Sequence, residues 1–208
     1  CNALREQGLV QPCPGWLAGW QAAEGFSGSL MQRGPAPNMA IAQNDGDAPM
    51  PWSEGDLIQA LRKVIPAGEA LFCANSMPIR QLDTWWPAGG AQVTLLGNRG
   101  ASGIDGYLST LAGLTQAGIP CWGLVGDLSL CHDLSGLLLA SRLERPLVVI
   151  NNQGGHIFDY LPQRELPNYG RLWQTPQSIE IAALAALGGL RHWRVADAAG
   201  LQRALTEA

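Results

Sequence analysis

Apolar and polar positions alternate in regular blocks along the chain from about residue 53 onwards. Short apolar runs predict buried strands at residues 70–74, 93–96, 120–125, 146–150 and 191–195. Between these runs the apolar residues recur at helical spacing, which predicts helices at residues 53–65, 79–86, 105–117, 133–142, 178–187 and 197–208. Strands and helices that alternate in this way are typical of an α/β fold, a doubly wound, mostly parallel sheet with helices on both faces.

The start of this regular region is marked by helix-capping residues. Ser53 and Asp56 form the sequence pattern of a capping box, and Pro66-Ala67-Gly68 ends the helix. Residues 1–52 are rich in glycine and proline and have no sustained periodicity, so they predict an irregular segment. We therefore expect residues 1–52 to be a linker or the remnant of a middle domain, and residues 53–208 to form the main domain.

Composition and charge exclude several classes of protein. The net charge of −4, with charged residues at 14%, predicts no nucleic-acid partner, which would need a clustered basic face. No apolar run approaches the length of a membrane span, and the amino terminus lacks the pattern of a signal peptide. The 5 cysteines form no Cys-x-x-Cys pair and the histidines have no zinc-ligand spacing, so we expect reduced thiols in the cytoplasm.

Polar and glycine residues follow two successive predicted strands. Gly126-Asp127-Leu128-Ser129 follows one apolar run, and Asn151-Asn152-Gln153-Gly154-Gly155 follows the next, with Asn152 lying 25 positions after Asp127. One strand–helix–strand crossover consumes about that length and lays its strands parallel, so both groups emerge at one sheet edge. Carboxylate and amide oxygens beside a glycine-rich backbone suit Mg²⁺ and a diphosphate. The alternative is that these are ordinary turn residues.

These segments resemble a known enzyme family. A Gly-Asp after one strand and an Asn-Asn after the next is similar to the signature of thiamine-diphosphate-dependent enzymes. The Asp127-Leu128-Ser129 variant resembles the branch of 2-succinyl-5-enolpyruvyl-6-hydroxy-3-cyclohexene-1-carboxylate synthases of menaquinone biosynthesis. Three further blocks resemble the same branch, in the same order, over residues 57–193. They are residues 75–80, residues 98–106 and residues 151–158, where His156 replaces an expected glutamine.

The resemblance implies a thiamine-diphosphate-binding fold and a set of cofactor contacts. The implied ligands of Mg²⁺ or Mn²⁺ are the side chains of Asp127 and Asn152 and the carbonyl of Gly154. Ile104 takes the place of the bulky apolar residue that bends the cofactor, and its stiff χ1 suits that task. The other residues implied to line the cofactor are Ser76, Met77, Gly126, Leu128, Ser129, Gly155, His156 and Ile157.

The resemblance also implies a reaction, in which 2-oxoglutarate is decarboxylated and the succinyl unit is added to isochorismate. Arg80 and Arg99 each follow an apolar strand, and arginine binds a substrate carboxylate with a planar pair of donors. Phe158 would supply an apolar wall. The alternatives are that the arginines are solvated surface charges and that Phe158 belongs to the core.

Family members contain a pyrimidine-binding, a middle and a diphosphate-binding domain, and this chain matches the last, without its extreme C-terminal end. The activating glutamate comes from the pyrimidine-binding domain of a neighbouring subunit, so we expect a homodimer or homotetramer and no turnover by this chain alone. Two alternatives stay open at this stage. One is another thiamine-diphosphate enzyme of the acetolactate synthase or decarboxylase type, and the other is a noncatalytic α/β nucleotide-binding or assembly module.

Overall fold

The structure is a computed structural model that describes residues 52–86, 89, 92–98 and 103–207. Apart from Gly89, these residues belong to one compact unit. Residues 1–51, on which the prediction of an irregular segment depends, and Arg99 lie outside the described residues.

The described residues form a four-stranded parallel sheet. Its strands are β1 (Ala70–Cys73), β2 (Thr94–Gly97), β3 (Cys121–Gly126) and β4 (Leu147–Ile150), in the order β2-β1-β3-β4. Ala70 lies opposite Thr94 on one side and Cys121 on the other, and Gly126 at the end of β3 lies opposite Ile150 at the end of β4. The parallel sheet predicted from the sequence is confirmed.

Helices precede the first strand, connect the strands and follow the last one. The α-helices are α1 (Glu54–Val64), α2 (Met77–Trp85), α3 (Tyr107–Gln116), α4 (Asp127–His132), α5 (Ile181–Leu187) and α6 (Ala198–Glu207). The 3₁₀-helices are Leu134–Arg142, His156–Tyr160 and Pro162–Glu165, and Gly170–Gln174 is a π-helix. The predicted capping box of α1 is confirmed, because Asp56 N donates to Ser53 Oγ at 3.1 Å and Ser53 N donates to Asp56 Oδ2 at 2.9 Å.

Each face of the sheet has its own hydrophobic core. Phe72 on β1 packs with Tyr107 and Leu111 of α3, and the Tyr107 hydroxyl donates to the Phe72 carbonyl at 2.6 Å. The neighbouring Leu71 points to the opposite face and packs with Ile58 and Leu61 of α1. Successive strand residues alternate between faces, so the apolar run of β1 serves both cores. Helices on both faces, as predicted, are confirmed.

Two predicted elements differ from the structure. Residues 191–195 form no strand; their apolar–polar alternation comes from a loop in which Arg191 lies over the Trp193 ring and Trp193 Nε1 donates to Glu207 of α6. Residues 133–142 form no α-helix. Gly136 N donates to Asp133 O at 2.9 Å, three residues back rather than four, and Leu134–Arg142 is a 3₁₀-helix. Within the described part of the chain, no helix is long and apolar enough to cross a membrane.

Candidate functional site

A cleft opens where β3 and β4 end. Asp127 follows β3 directly as the first residue of α4, and Asn152 lies in the loop that follows β4. Because β3 and β4 pair in parallel, their carboxyl ends bring both residues to this cleft, at the edge where open α/β sheets bind ligands. The lining residues are Glu54, Ser76, Met77, Pro78, Gly126, Asp127, Leu128, Ser129, Ile150, Asn152, Gly154, Gly155 and His156.

Asp127 is a buried carboxylate with one oxygen unpaired. The residue is 3% exposed, and its Oδ1 accepts from the N–H of Leu128 at 2.9 Å. Its Oδ2 is buried without a hydrogen-bond partner. Burial raises the pKa of the Asp127 carboxyl above its ordinary value, and the backbone N–H groups of Leu128 and Gly154 oppose that rise. A buried, unpaired carboxylate oxygen is costly, so this atom fits a position that meets a cation.

Hydrogen bonds hold both the side chain and the backbone carbonyl of Asn152. The Asn152 side-chain Nδ2 donates to Glu54 Oε1 at 2.9 Å, and the Asn152 carbonyl lies 2.9 Å from His156 Nε2. The other ring nitrogen of His156 lies 2.6 Å from Asp159 Oδ2, and the Tyr169 hydroxyl donates to Asp159 Oδ1. Burial disfavours the Asp159 carboxylate, yet these hydrogen bonds keep its pKa below the ordinary value. The loop after β4 is therefore anchored by a polar network.

Packing against neighbouring backbone requires glycine at positions 154 and 155. Gly154 has φ +146°, and a Cβ there would lie 2.5 Å from the carbonyl oxygen of Gln174. A Cβ at Gly155 would lie 2.9 Å from the Trp173 carbonyl oxygen, and the Gly155 N–H donates to Gln174 O at 2.6 Å. The π-helix therefore presses directly on the glycine pair and holds its backbone in place.

The segment after β1 forms a second wall of the cleft. Ser76 has φ 72° and precedes α2. The Asn75 side-chain Nδ2 donates to the Gly103 carbonyl at 2.7 Å, which ties this wall to the turn that carries Ile104. Arg80 is exposed on α2, and its Nη1 donates to the Ser76 carbonyl at 2.8 Å.

Some of the predicted site residues lie elsewhere among the described residues. Arg80, Ile104, Ile157 and Phe158 do not line the cleft, whereas the other described residues of the predicted set do. Ile104 is half-buried, and Phe158 packs edge-on against the Trp173 ring at 5.3 Å between centroids. Phe158 therefore takes part in packing the loop against the π-helix.

The oxygen donors of the cleft suit magnesium better than a zinc-type centre. In the part of the chain that the structure describes, no group of three or more His, Cys, Asp and Glu side chains is arranged to hold a metal. A metal at this edge would use one carboxylate, one amide and one backbone carbonyl. Mg²⁺ accepts such a set when phosphate oxygens and water supply its other ligands.

Sequence reasoning missed two parts of this site. Glu54 lines the cleft but lies 98 positions before Asn152, and only its place in a capped helix start was visible in the sequence. Asp159 and Tyr169 hold His156 from short helical turns that no apolar periodicity predicts. The histidine at a position where the resemblance implies glutamine was the one available signal.

Curated relatives share most of this chain. It is 44% identical over 142 residues to a 2-succinyl-5-enolpyruvyl-6-hydroxy-3-cyclohexene-1-carboxylate synthase from Lactococcus lactis, covering 67% of the chain and 25% of the relative. A synthase of the same name from Myxococcus xanthus is 37% identical over 213 aligned positions, covering 100% of the chain and 34% of the relative. The chain is a homologue of one part of these synthases. It spans between 25% and 34% of the length of these two relatives.

Solved structures of two decarboxylases share the fold of this chain. A benzoylformate decarboxylase from Polynucleobacter necessarius superposes with a TM-score of 0.62 at 19% identity, over 80% of this chain and 32% of that one. A thiamine diphosphate-dependent 4-hydroxybenzoylformate decarboxylase from Rhodococcus jostii superposes with a TM-score of 0.60 at 21% identity, over 84% of this chain and 33% of that one. The fold resembling that of thiamine-diphosphate enzymes is confirmed. No protein-family model matches the chain.

Proposed function

We propose that this chain is the diphosphate-binding part of a synthase that decarboxylates 2-oxoglutarate and adds the succinyl unit to isochorismate. The observation that carries the proposal is the buried, unpaired Asp127 Oδ2 in a cleft shared with Asn152, in a homologue of synthases of that name. Residues 53–208 would form this domain, and residues 1–52 would precede it as a linker or as the remnant of a middle domain.

The chain's residues would hold thiamine diphosphate through a metal ion. Asp127 Oδ2, the Asn152 amide oxygen and the Gly154 carbonyl would bind Mg²⁺ or Mn²⁺, and Ser129, Gly155, His156 and Ile157 would line the diphosphate. Ser76 and Met77 would flank the cofactor from the wall after β1. When bound, thiamine diphosphate supplies the carbon chemistry of decarboxylation and addition, while the protein supplies placement and electrostatics.

Substrate recognition would rest on Arg80 and Arg99, with Phe158 as an apolar wall. A guanidinium binds a carboxylate in a planar, two-pronged geometry, and both proposed substrates carry carboxylates. Arg80 uses one donor on the Ser76 carbonyl, which would hold its guanidinium beside the cleft wall. Ile104 would enforce the bent shape of the cofactor from a turn that Asn75 holds.

The complete protein would need more than this chain. A pyrimidine-binding domain of a neighbouring subunit would contribute the activating glutamate, in a homodimer or homotetramer. The homologous synthases extend well beyond the part that this chain matches, which agrees with this arrangement.

Magnesium-dependent cofactor binding tests the proposal. In the full-length protein, isothermal titration with thiamine diphosphate should show binding with Mg²⁺ and a large loss of affinity with a chelator. Asp127→Ala should weaken binding strongly, because it removes the charged ligand. Equal affinity in the presence and absence of the chelator would contradict the metal site.

A second experiment separates the synthase from a decarboxylase of the same fold. Arg80→Lys and Arg99→Lys keep the charge but lose the planar fork, so at least one should raise KM for 2-oxoglutarate or isochorismate while cofactor affinity is unchanged. A loss of about 1.5–3 kcal/mol in transition-state stabilisation would match one charge-assisted hydrogen bond. Wild-type kcat/KM for both substrates in both variants would remove the substrate assignment and leave the cofactor assignment standing.

A further inference from the structure

The side chain of Asn152 is held by a glutamate that no cofactor motif contains. Glu54 stands in the first turn of α1, and its Oε1 accepts from Asn152 Nδ2 at 2.9 Å. Its Oε2 accepts from Gln81 Nε2 of α2 at 2.5 Å. Both carboxylate oxygens are thus engaged, one by each of two segments that border the cleft.

The chemistry of this contact decides which way the Asn152 amide faces. An ionised carboxylate only accepts hydrogen bonds, so Glu54 pairs with the amide nitrogen and not with the amide oxygen. The oxygen of the same amide is then the atom left for a cation, as a metal ligand requires.

Glu54 is itself held rigidly. The start of α1 is fixed by the Ser53–Asp56 capping box, and α1 packs against α2, which carries Gln81. Glu54 is half-buried and lines the cleft together with Asp127. Partners of this kind orient ligands and typically change metal affinity about 10–100-fold when removed.

We propose that Glu54 is a positioning residue for the metal site, which acts by holding the Asn152 amide with its oxygen directed to the cation. The inference rests on the proposed function. It adds a carboxylate from α1 that supports the proposed ligand set and acts through Asn152.

The test measures Mn²⁺ binding by the electron paramagnetic resonance signal of the free ion, in the full-length protein with saturating thiamine diphosphate. Glu54→Ala should weaken Mn²⁺ binding about 10–100-fold. Glu54→Gln should stay closer to wild type, because its Oε1 still accepts from Asn152 while the Gln81 amide rotates to accept from its Nε2. A Glu54→Gln variant that loses as much Mn²⁺ affinity as Glu54→Ala would overturn the hydrogen-bond role of Glu54.

A double-mutant cycle shows whether Glu54 acts through Asn152. In an Asn152→Ala background, Glu54→Ala should have little further effect on Mn²⁺ affinity. A further loss as large as that in the wild-type background would mean that Glu54 acts independently, and would overturn the inference. A purely structural role would lower the melting temperature of the apoprotein and leave Mn²⁺ affinity unchanged.

Two controls separate this inference from the proposed function. Glu180 is exposed at the N-cap of α5 and makes no side-chain capping hydrogen bond, so Glu180→Ala should bind Mn²⁺ like wild type. If Asp127→Ala binds Mn²⁺ normally, the proposed function fails. If Asp127→Ala loses binding and Glu54→Ala does not, the Glu54 inference alone fails.

Discussion

Ser76, at the wall of the cleft, has a strained backbone conformation that is unusual for a residue other than glycine. Its φ of 72° and ψ of −135° lie where side chains are rarely found, and such a residue costs about 1–3 kcal/mol. Arg80 Nη1 donates to the Ser76 carbonyl at 2.8 Å, which helps to hold this geometry. Strain retained beside a binding cleft is typical of a functional position.

We expect Ser76→Gly to stabilise the fold and to weaken cofactor binding. Glycine relieves the strain but loses more entropy on folding, so the net gain in the free energy of unfolding should be up to about 2 kcal/mol. Urea unfolding measures this gain. Calorimetry with magnesium and thiamine diphosphate measures the loss of cofactor affinity that follows from removing the hydroxyl.

Ser76→Ala is the matched control, because it also removes the hydroxyl but keeps the Cβ and the strain. It should show the loss of cofactor affinity without the gain in stability. If Ser76→Gly is no more stable than Ser76→Ala, the conformation is not strained.

At the scale of elements, Glu69 joins the segments at the opposite end of the sheet from the cleft. It precedes β1, and its carboxylate accepts from Arg145 Nε at 2.9 Å, Arg145 Nη2 at 2.6 Å and Trp122 Nε1 at 2.5 Å. The Glu69 side chain is 12% exposed and that of Arg145 is 36% exposed. One carboxylate thus ties β1 to β3 and to the segment that enters β4.

This contact predicts a stability that depends on pH. The Arg145 hydrogen bonds hold the pKa of Glu69 below its ordinary value of 4.5. A lowered folded-state pKa gives stability that is fully present above the unfolded value and is lost as the pH falls through the folded value. The loss should therefore appear below about pH 4.5, where the carboxyl becomes protonated.

Glu69→Gln should remove this part of the pH dependence. At neutral pH the variant should be less stable by about 1–2 kcal/mol, a range reduced because Arg145 is partly exposed to solvent. Urea unfolding at neutral and acidic pH measures both effects, with Glu180→Gln as the exposed control. Parallel stability curves for wild type and Glu69→Gln would show that the contact contributes no pH dependence.

At the scale of the whole molecule, one parallel sheet separates two hydrophobic cores. Leu71 and Phe72 are neighbours on β1, and each is almost completely buried in a different core. Because both cores share the same strands, loss of packing on either face should weaken the same sheet hydrogen bonds.

We expect Leu71→Ala and Phe72→Ala to destabilise the same cooperative unit. The costs should be about 2–5 kcal/mol and 3–5 kcal/mol, because each leaves a cavity in a packed core. In the full-length protein, native-state hydrogen exchange should show that both variants accelerate exchange of the same β3 amides. Acceleration confined to α1 in one variant and to α3 in the other would contradict a single unit.

The sequence by itself determined the sheet and the meeting of Asp127 with Asn152. Buried parallel strands are continuous apolar runs, and a crossover of fixed hand and length brings successive strand ends to one edge, so local patterns carry this information. The same patterns gave a wrong strand at residues 191–195. Apolar and polar residues alternate there because Trp193 and Val195 are half-buried while the residues beside them are exposed, in a segment that forms no strand.

Only the tertiary structure decided what surrounds Asp127 and Asn152. The contact of Glu54 with Asn152 joins residues 98 positions apart, and the approach of Gln174 to Gly154 depends on how a π-helix folds back over a loop. Such contacts leave no periodic trace in the chain, because they depend on distances between elements rather than on spacing within one. The environment of Asp127 Oδ2 was settled in the same way, by packing around a buried strand end.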